Sequence, residues 1–408
     1  MKILLLTPQL PYPPQQGTSL RNFHILKGLS LRHKVTLLTF GDPVGAGLVP
    51  AQPPAALVEL CEAVHIVPAP HRGMSTRLKR LFTDKRPDMA HRLESPAFDA
   101  ALTEILASEQ FDIVQVEGIE LAQSMAIVRP ISPDSRLVFD EHNAETELQR
   151  RAFLTDLRQP KRWPAAAYSW IQTGRLRRFE RWACETADAV TVVSEADAAH
   201  IGRLGVETPV TVIPNCLDVE EYRLHKEEPG IKYDLVFSGK MDYRPNIDAM
   251  LWFADEIWPK IKAQRPQTTW AIVGQKPHAR LERLKGLAGV TVTGWVEAVQ
   301  PYLAGAAVYV MPFRMGSGTR LKLIEAMAAG KAIVSTTIGA EGFPVAHDKE
   351  LLLADDAAEF AESVLALLVS DERREKLGKE AAEFAEQYDW RVVVPKFEDI
   401  YKSPHAPV

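Results

Sequence analysis

Cysteine is scarce. The 408-residue chain has three, Cys61, Cys184 and Cys216, odd in number, widely spaced and without a C-x-x-C pair. That argues against a disulfide framework or a cysteine zinc site and fits a reducing compartment. No apolar run reaches the ~20 residues that a membrane-spanning helix needs. The opening "MKILLL" is too short for the core of a secretion signal, and proline and glutamine follow at once. It reads as a buried first strand, and a cytoplasmic protein is expected. A surplus of positive charge is also missing. The net charge is −5, which argues against nucleic acid as a partner. Neither half opens with G-x-G-x-x-G, and no G-x4-G-K-[ST] occurs, so a nicotinamide dehydrogenase and a Walker-type nucleotide site are both disfavoured.

What is present is a repeated alternation. "KILLLTP", "KVTLLTF", "VHIVPAP", "FDIVQVEG", "RLVFDEHN" and "AVTVVSE" are continuously apolar, as parallel strands buried on both faces are. Longer amphipathic stretches separate them. "VTVIPN" leads into the charged "DVEEYRLHKEEPGIKYD", which reads as an interdomain linker. The alternation then restarts with "YDLVFSG", "TWAIVG", "VTVTGW", "VYVMPF", "KAIVSTT" and "ELLLAD". The expected fold class is α/β, two doubly wound parallel sheets. The expected domains are 1–213, with 388–408 packing back on it, and 214–387. Ligands of such sheets bind beyond the carboxyl ends of the strands, so the residues there are the candidates.

"RMGSGTRLKLIEAMAAGKAIV", Arg314 to Val334, puts a glycine turn before a helix. Glycines let backbone N–H groups come close to an anion, and the helix dipole favours negative charge there. Glu325 falls about two turns inside, roughly 10 Å from the turn at 1.5 Å per residue. That suits a ligand with phosphate at one end and a diol further along, because a carboxylate accepts from two hydroxyls. A solvated Glu325 paired with Lys322 is the plainer alternative. In the first half, "FDEHN" brings Asp140, Glu141, His142 and Asn143 to one strand end. They mark either a polar site or the cap of the next helix, with Asn143 capping and Glu147 in the first turn.

The stretch from "FSGKMDYRPN" through "WAIVG" and "VTVTGWVEAVQPYLAGAAVYVMPFRMGSGTRLKLIEAMAAGKAIV" resembles the nucleotide-sugar-binding half of family 4 glycosyltransferases. More narrowly, it resembles bacterial exopolysaccharide sugar transferases. "LPYPPQQGTSLRNFHILKGLS", "DEHNAE" and "VVSEAD" extend the resemblance to the first half. It implies a GT-B fold, two facing Rossmann-like domains. It further implies a metal-independent, retaining, hexosyltransferase-like enzyme without a cofactor. A nucleotide-diphosphate sugar would be the donor and a glycan or lipid-linked molecule the acceptor.

Residue by residue, the resemblance gives Glu325 the ribose hydroxyls as second member of an E-x7-E motif. The first member falls at Ser317, which is not acidic, and this leaves the donor sugar open. Gly316, Ser317, Gly318 and Thr319 form the donor turn, with Arg320 and Lys322 beside it. Lys240 and Arg244 correspond to the basic pair that grips the diphosphate. Gly294, Trp295 and Val296 meet the nucleobase, where Trp295 either stacks on the base or fills core. Gly17 and Thr18 belong to the first glycine loop, facing the donor. His142 and Glu141 are the catalytic candidates of the first half, and Arg21, Glu117 and Asn143 lie on the acceptor side, with Arg21, one helical turn after Thr18, in reach of an anion. The basic, aromatic stretch from Arg150 to Trp182, with "HRGMSTRLKRLFTDKRPD", implies docking on the inner face of a membrane. Two other functions fit the same fold: a nucleotide-sugar epimerase and a nucleotide-sugar-binding protein that no longer transfers.

Overall fold

The computed structural model describes residues 1–14, 17–41, 52–157, 160–225, 231–316 and 318–403. The chain divides into two compact units, Met1–Cys216 with Trp390–Val408, and Leu217–Asp389.

The first unit is built on seven parallel strands: β1 (Lys2–Thr7), β2 (Lys34–Phe40), β3 (Ala63–Val67), β4 (Ile113–Glu117), β5 (Arg136–Glu141), β6 (Ala189–Val192) and β7 (Val210–Val212). They lie in the order β3-β2-β1-β4-β5-β6-β7. The apolar runs are continuous because both faces are covered. Leu4, Leu6, Val114 and Val116 face one core, and Ile3, Leu5, Ile113 and Val138 face the other. The second of these cores includes the last helix, Trp390–Lys402, through Val393, Val394, Phe397 and Tyr401. Burying each such apolar side chain contributes about 1.5–3 kcal/mol, enough to hold this chain end in the first unit.

The second unit has six parallel strands: β8 (Tyr233–Ser238), β9 (Trp270–Val273), β10 (Val290–Gly294), β11 (Ala306–Met311), β12 (Ala332–Ser335) and β13 (Leu352–Leu353). Their order is β10-β9-β8-β11-β12-β13. Phe253, Trp258, Trp270 and Phe360 form an aromatic core beneath them, with Phe253 and Trp270 only 4.5 Å apart. In both sheets the strand order reverses beside the first strand of the unit. The crevices for ligands therefore open next to β1/β4 and β8/β11.

Twelve of the thirteen strands among the described residues match the apolar runs read as strands, and β7 falls in "VTVIPN", read only as the approach to the linker. The charged segment expected to be a linker does not remain one at its start. Val219–Arg223 is a short helix, and Val219 and Tyr222 are buried. Its acidic residues hide two inward side chains, so composition alone reads it as loop.

Candidate functional site

In the second unit the site is built where β8 and β11 end. Gly239 follows β8 with φ +151°, and a Cβ there would fall 2.4 Å from Lys322 Nζ. Only glycine lets that ammonium lie against the turn. Lys322 Nζ donates to Asn246 Oδ1 at 3.0 Å and sits 4.6 Å and 5.2 Å from the ring centres of Phe237 and Phe313. Burial in this aromatic cradle lowers the Lys322 pKa to about 7, against the upward pull of Glu325. Asn246 also donates to the Lys240 carbonyl at 2.8 Å, which ties the β8 turn to the same cluster.

The helix after the glycine turn runs Leu321–Ala328, and no side chain caps its N-terminus. Glu325 is thus one turn inside, not two, because Gly318–Arg320 precede the helix. Lys322 and Glu325 share a face at i, i+3. Tyr222 donates its hydroxyl to Glu325 Oε1 at 2.8 Å. Burial raises the Glu325 pKa, while Tyr222 and Lys322 partly restore its charged form. The plainer expectation of a solvated Glu325 is therefore not met.

Arg320 holds the turn. Its guanidinium donates to the Ile338 carbonyl at 2.6 Å and stacks 4.8 Å from the Phe313 ring centre. A Cβ on Gly316, at φ +117°, would strike it at 2.6 Å. Gly318 offers its carbonyl to Arg320 at 3.4 Å, and Thr319 lies against Gly342. Ser317 lies outside the described residues. Lys240 is partly exposed, 3.9 Å from Asp242. Arg244 opens the helix Arg244–Trp252 from an exposed position. Gly294 ends the edge strand β10, and Trp295 and Val296 follow it. Trp295 is 61% exposed, which removes its core-filling alternative.

In the first unit β4 and β5 bring Glu117 and Asp140 into register. Arg21, on the helix Gly17–Ser30, meets Asp140 with two hydrogen bonds, both 2.9 Å. Thr191 donates to the same carboxylate at 2.5 Å. His142 Nε2 is 2.8 Å from Glu117 Oε2 and 3.7 Å from Asp140 Oδ2. Burial would raise the Asp140 pKa, but Arg21 and His142 hold it at about 2. Burial, reinforced by Asp140, raises Glu117 to about 7. Burial alone would lower His142, but Glu117 and Asp140 bring it above its ordinary value. The pKa values of two neighbouring carboxylates are thus pushed apart, the usual setting for proton handling.

Three expectations need correction here. Arg21 is 1% exposed, and its guanidinium is committed to Asp140 and the Ile213 and Pro214 carbonyls, so it is not held out for an anion. A buried guanidinium without partners would be too costly. Glu141 does not join His142, because successive residues along a strand face opposite ways. It is buried beside Glu180 and 4.0 Å from Cys184 Sγ, and burial plus Glu180 raises its pKa well above the carboxylate range. Asn143 does not cap the next helix; its amide donates to Glu145 at 3.3 Å, while Asp197 accepts the Ala144 N–H. Gly17 and Thr18 open the first helix, exposed and half-buried.

Glu117, Asp140 and His142 place three ligand atoms within 4.8 Å of one another. They do not make a good cation cage. Arg21 takes both Asp140 oxygens, and its own charge would repel a metal ion.

Sequence reading passed over Tyr222 and Asn246, and named Asp140 at its strand end without giving it a role. Strand alternation was the available signal for Asp140, since it puts Asp140 and His142 on one side. Nothing in the sequence ties Tyr222 to Glu325. The basic stretch forms the helices Glu145–Leu157 and Trp163–Thr186. Trp163 and Trp170 are 59% and 67% exposed, and Phe82 is 80% exposed. Several of the basic groups are paired, Arg150 and Arg151 with Glu147 and Arg162 with Asp156. No helix among the described residues is long and apolar enough to cross a membrane.

Two family descriptions match the chain. "Glycosyltransferase Family 4" covers residues 17–221 and "Glycosyl transferases group 1" covers 232–370. A Klebsiella pneumoniae protein, described as an uncharacterized 44.6 kDa protein in the cps region, is 25% identical over 42% of this chain and 47% of its own length. A phosphatidyl-myo-inositol mannosyltransferase of Mycolicibacterium smegmatis is 30% identical over 47% of this chain and 51% of its own. The chain thus matches about half the length of these two relatives. The solved structure of Anabaena HepE with UDP and glucose superposes with a TM-score of 0.65 at 17% identity, covering 99% of this chain and 100% of that one. The two parallel-sheet units carry the α/β, GT-B class expected from the sequence.

Proposed function

The chain belongs to glycosyltransferase family 4, and on that premise we propose that it moves a sugar, with retention of configuration, from a nucleotide-diphosphate sugar to a glycan or lipid-linked acceptor of cell-surface polysaccharide. The observation that carries the reading is the cluster of Lys322, Asn246, Glu325 and Tyr222 under an uncapped glycine turn. Lys322 and the N-terminus of the helix Leu321–Ala328 suit a diphosphate, and Glu325 suits the two ribose hydroxyls. The HepE complex supports a nucleotide-sugar donor. The mannosyltransferase relative supports a lipid-linked acceptor, and the cps-region relative supports a polysaccharide role.

In the proposed reaction the bond from the sugar C1 to the β-phosphate oxygen breaks. The acceptor hydroxyl adds to C1 on the same face, and its proton passes to the departing phosphate. Lys322, Lys240 and Arg244 stabilise the charge that develops on that phosphate. His142, held by Glu117, orients the sugar. No metal is required, since these cations supply the positive charge and Arg21 already fills Asp140. The exposed Trp163, Trp170 and Phe82 beside basic helices support docking on the inner membrane face.

The test is a calorimetric screen of UDP, GDP and ADP, free and as sugar conjugates, with chelator present. One base should bind in preference, and its sugar conjugate should support transfer or slow hydrolysis. Silence to all three would remove the donor site. Liposome flotation with anionic lipid tests the membrane reading; Trp163→Ser with Trp170→Ser should abolish binding, and unchanged binding would overturn it.

A further inference from the structure

The last helix reaches the charged cluster of the first unit through a chain of buried polar groups. Tyr401, one residue from the end of that helix, is 5% exposed and donates its hydroxyl to Gln115 Oε1. Gln115 is fully buried on β4, and its amide donates to Glu117 Oε1 at 2.5 Å. The other oxygen of Glu117 meets His142 Nε2 at 2.8 Å. Each link fixes the next. A carboxylate only accepts, so Glu117 requires the N–H side of the Gln115 amide. The amide oxygen then faces Tyr401, the group that keeps the amide from turning over. Phe397, on the same helix, packs under Arg21 at 5.6 Å from its ring centre, so the helix touches both halves of the cluster.

We propose that Tyr401 is a positioning residue: through Gln115 it fixes the Glu117–His142 pair, and the final helix is thereby part of the sugar-facing machinery. The proposal rests on the reading of His142 as the group that orients the sugar. Without the Tyr401 hydroxyl the Gln115 amide can turn and present its oxygen to Glu117. That disfavours the charged carboxylate and with it the imidazolium of His142. The other groups facing this pair are Asp140 on β5, Arg21 on the first helix and Glu120 after β4, while Cys216 acts on Arg21 and Glu398 on Tyr401. None of them is altered by removing one hydroxyl.

The experiment is an NMR titration of the His142 ring, assigned by its loss in His142→Gln. In Tyr401→Phe the midpoint should fall by about half a pH unit or more, and the pH profile of kcat should move with it while the donor KM holds. Arg32→Ala, which releases the same helix from its Glu398 ion pair on the outer side, should leave the midpoint in place. A Tyr401→Phe protein with the native midpoint overturns the proposal. The native chain gives a second reading that needs no variant to fold: the Gln115 side-chain amide signals should shift across the His142 titration, and flat signals overturn it equally. A native protein that titrates as described but neither binds nor uses any nucleotide sugar removes the function proposed above and leaves the wiring intact.

Discussion

The two units share one strand order and treat charge at the reversal point in opposite ways. In the first, Arg21 and Asp140 close on each other with two hydrogen bonds, and carbonyl groups take the remaining donors. That charge is satisfied before any ligand arrives. In the second, Lys322 lies over two aromatic rings with a neutral amide as hydrogen-bond partner, and its charge is suppressed by burial. A site that must receive an anion gains from a cation that is held in place but not neutralised. A site that must hold a histidine steady gains from charges already paired. The same strand order thus carries a rigid frame in one unit and a socket suited to an anion in the other.

The largest effect should come from opening the frame. Arg21→Ala strands the Asp140 carboxylate in the interior, and breaking one side of a buried ion pair costs about 3–5 kcal/mol. Urea unfolding should read that loss. The folded pKa of Asp140, about 2, lies below the usual unfolded value near 3.9. Its ionisation therefore stabilises the fold above about pH 4, and that contribution is lost as pH falls towards 2. The variant should lose this acid-side slope as well. Native-like stability in Arg21→Ala would show that the pair is not the frame.

Emptying part of the socket should matter less for folding and more for binding. Glu325→Ala removes the carboxylate assigned to the ribose and leaves the Tyr222 hydroxyl without its acceptor. Hydrogen bonds to a charged group are worth about 1.5–3 kcal/mol, roughly 10–100-fold in nucleotide affinity. Calorimetry on the preferred nucleotide checks it, and an unchanged Kd would remove Glu325 from the ribose. Tyr222→Phe should show a smaller loss, because the carboxylate stays and only its orientation is freed.

The frame and the socket were unequally legible in the sequence. Twelve apolar runs marked strands because buried parallel strands leave few polar positions. The glycine turn and Glu325 were visible because they sit within one local pattern of turn and helix. Arg21 was read as a free cation because its partner lies 119 positions away. Glu141 and Asp140 were exchanged in importance because local clustering was weighed above strand alternation. Tyr222 and Tyr401 were hidden for the same reason as Arg21: their partners, Glu325 and Gln115, are distant in the chain, and neither segment has a motif of its own.

The smallest and most selective test of the contrast is a proton count. If Lys322 stands near pKa 7 in the free protein, it is mostly neutral at pH 8 and mostly charged at pH 6. A diphosphate against its ammonium would favour the charged form, so binding at pH 8 must draw a proton from the buffer. A nucleotide sugar is the proper ligand, because both its phosphates are esterified and do not titrate in this range. Calorimetry in two buffers of different ionisation enthalpy should then show uptake of roughly 0.9 proton per site at pH 8 and about 0.1 at pH 6, with affinity falling about 50-fold between pH 7 and pH 9. Lys322→Met should bind more weakly and without the pH-dependent uptake. Equal uptake at both pH values in the native chain would mean that Lys322 is not the cation that meets the phosphate, and the socket would have to be rebuilt around Lys240 and the N-terminus of the helix Leu321–Ala328.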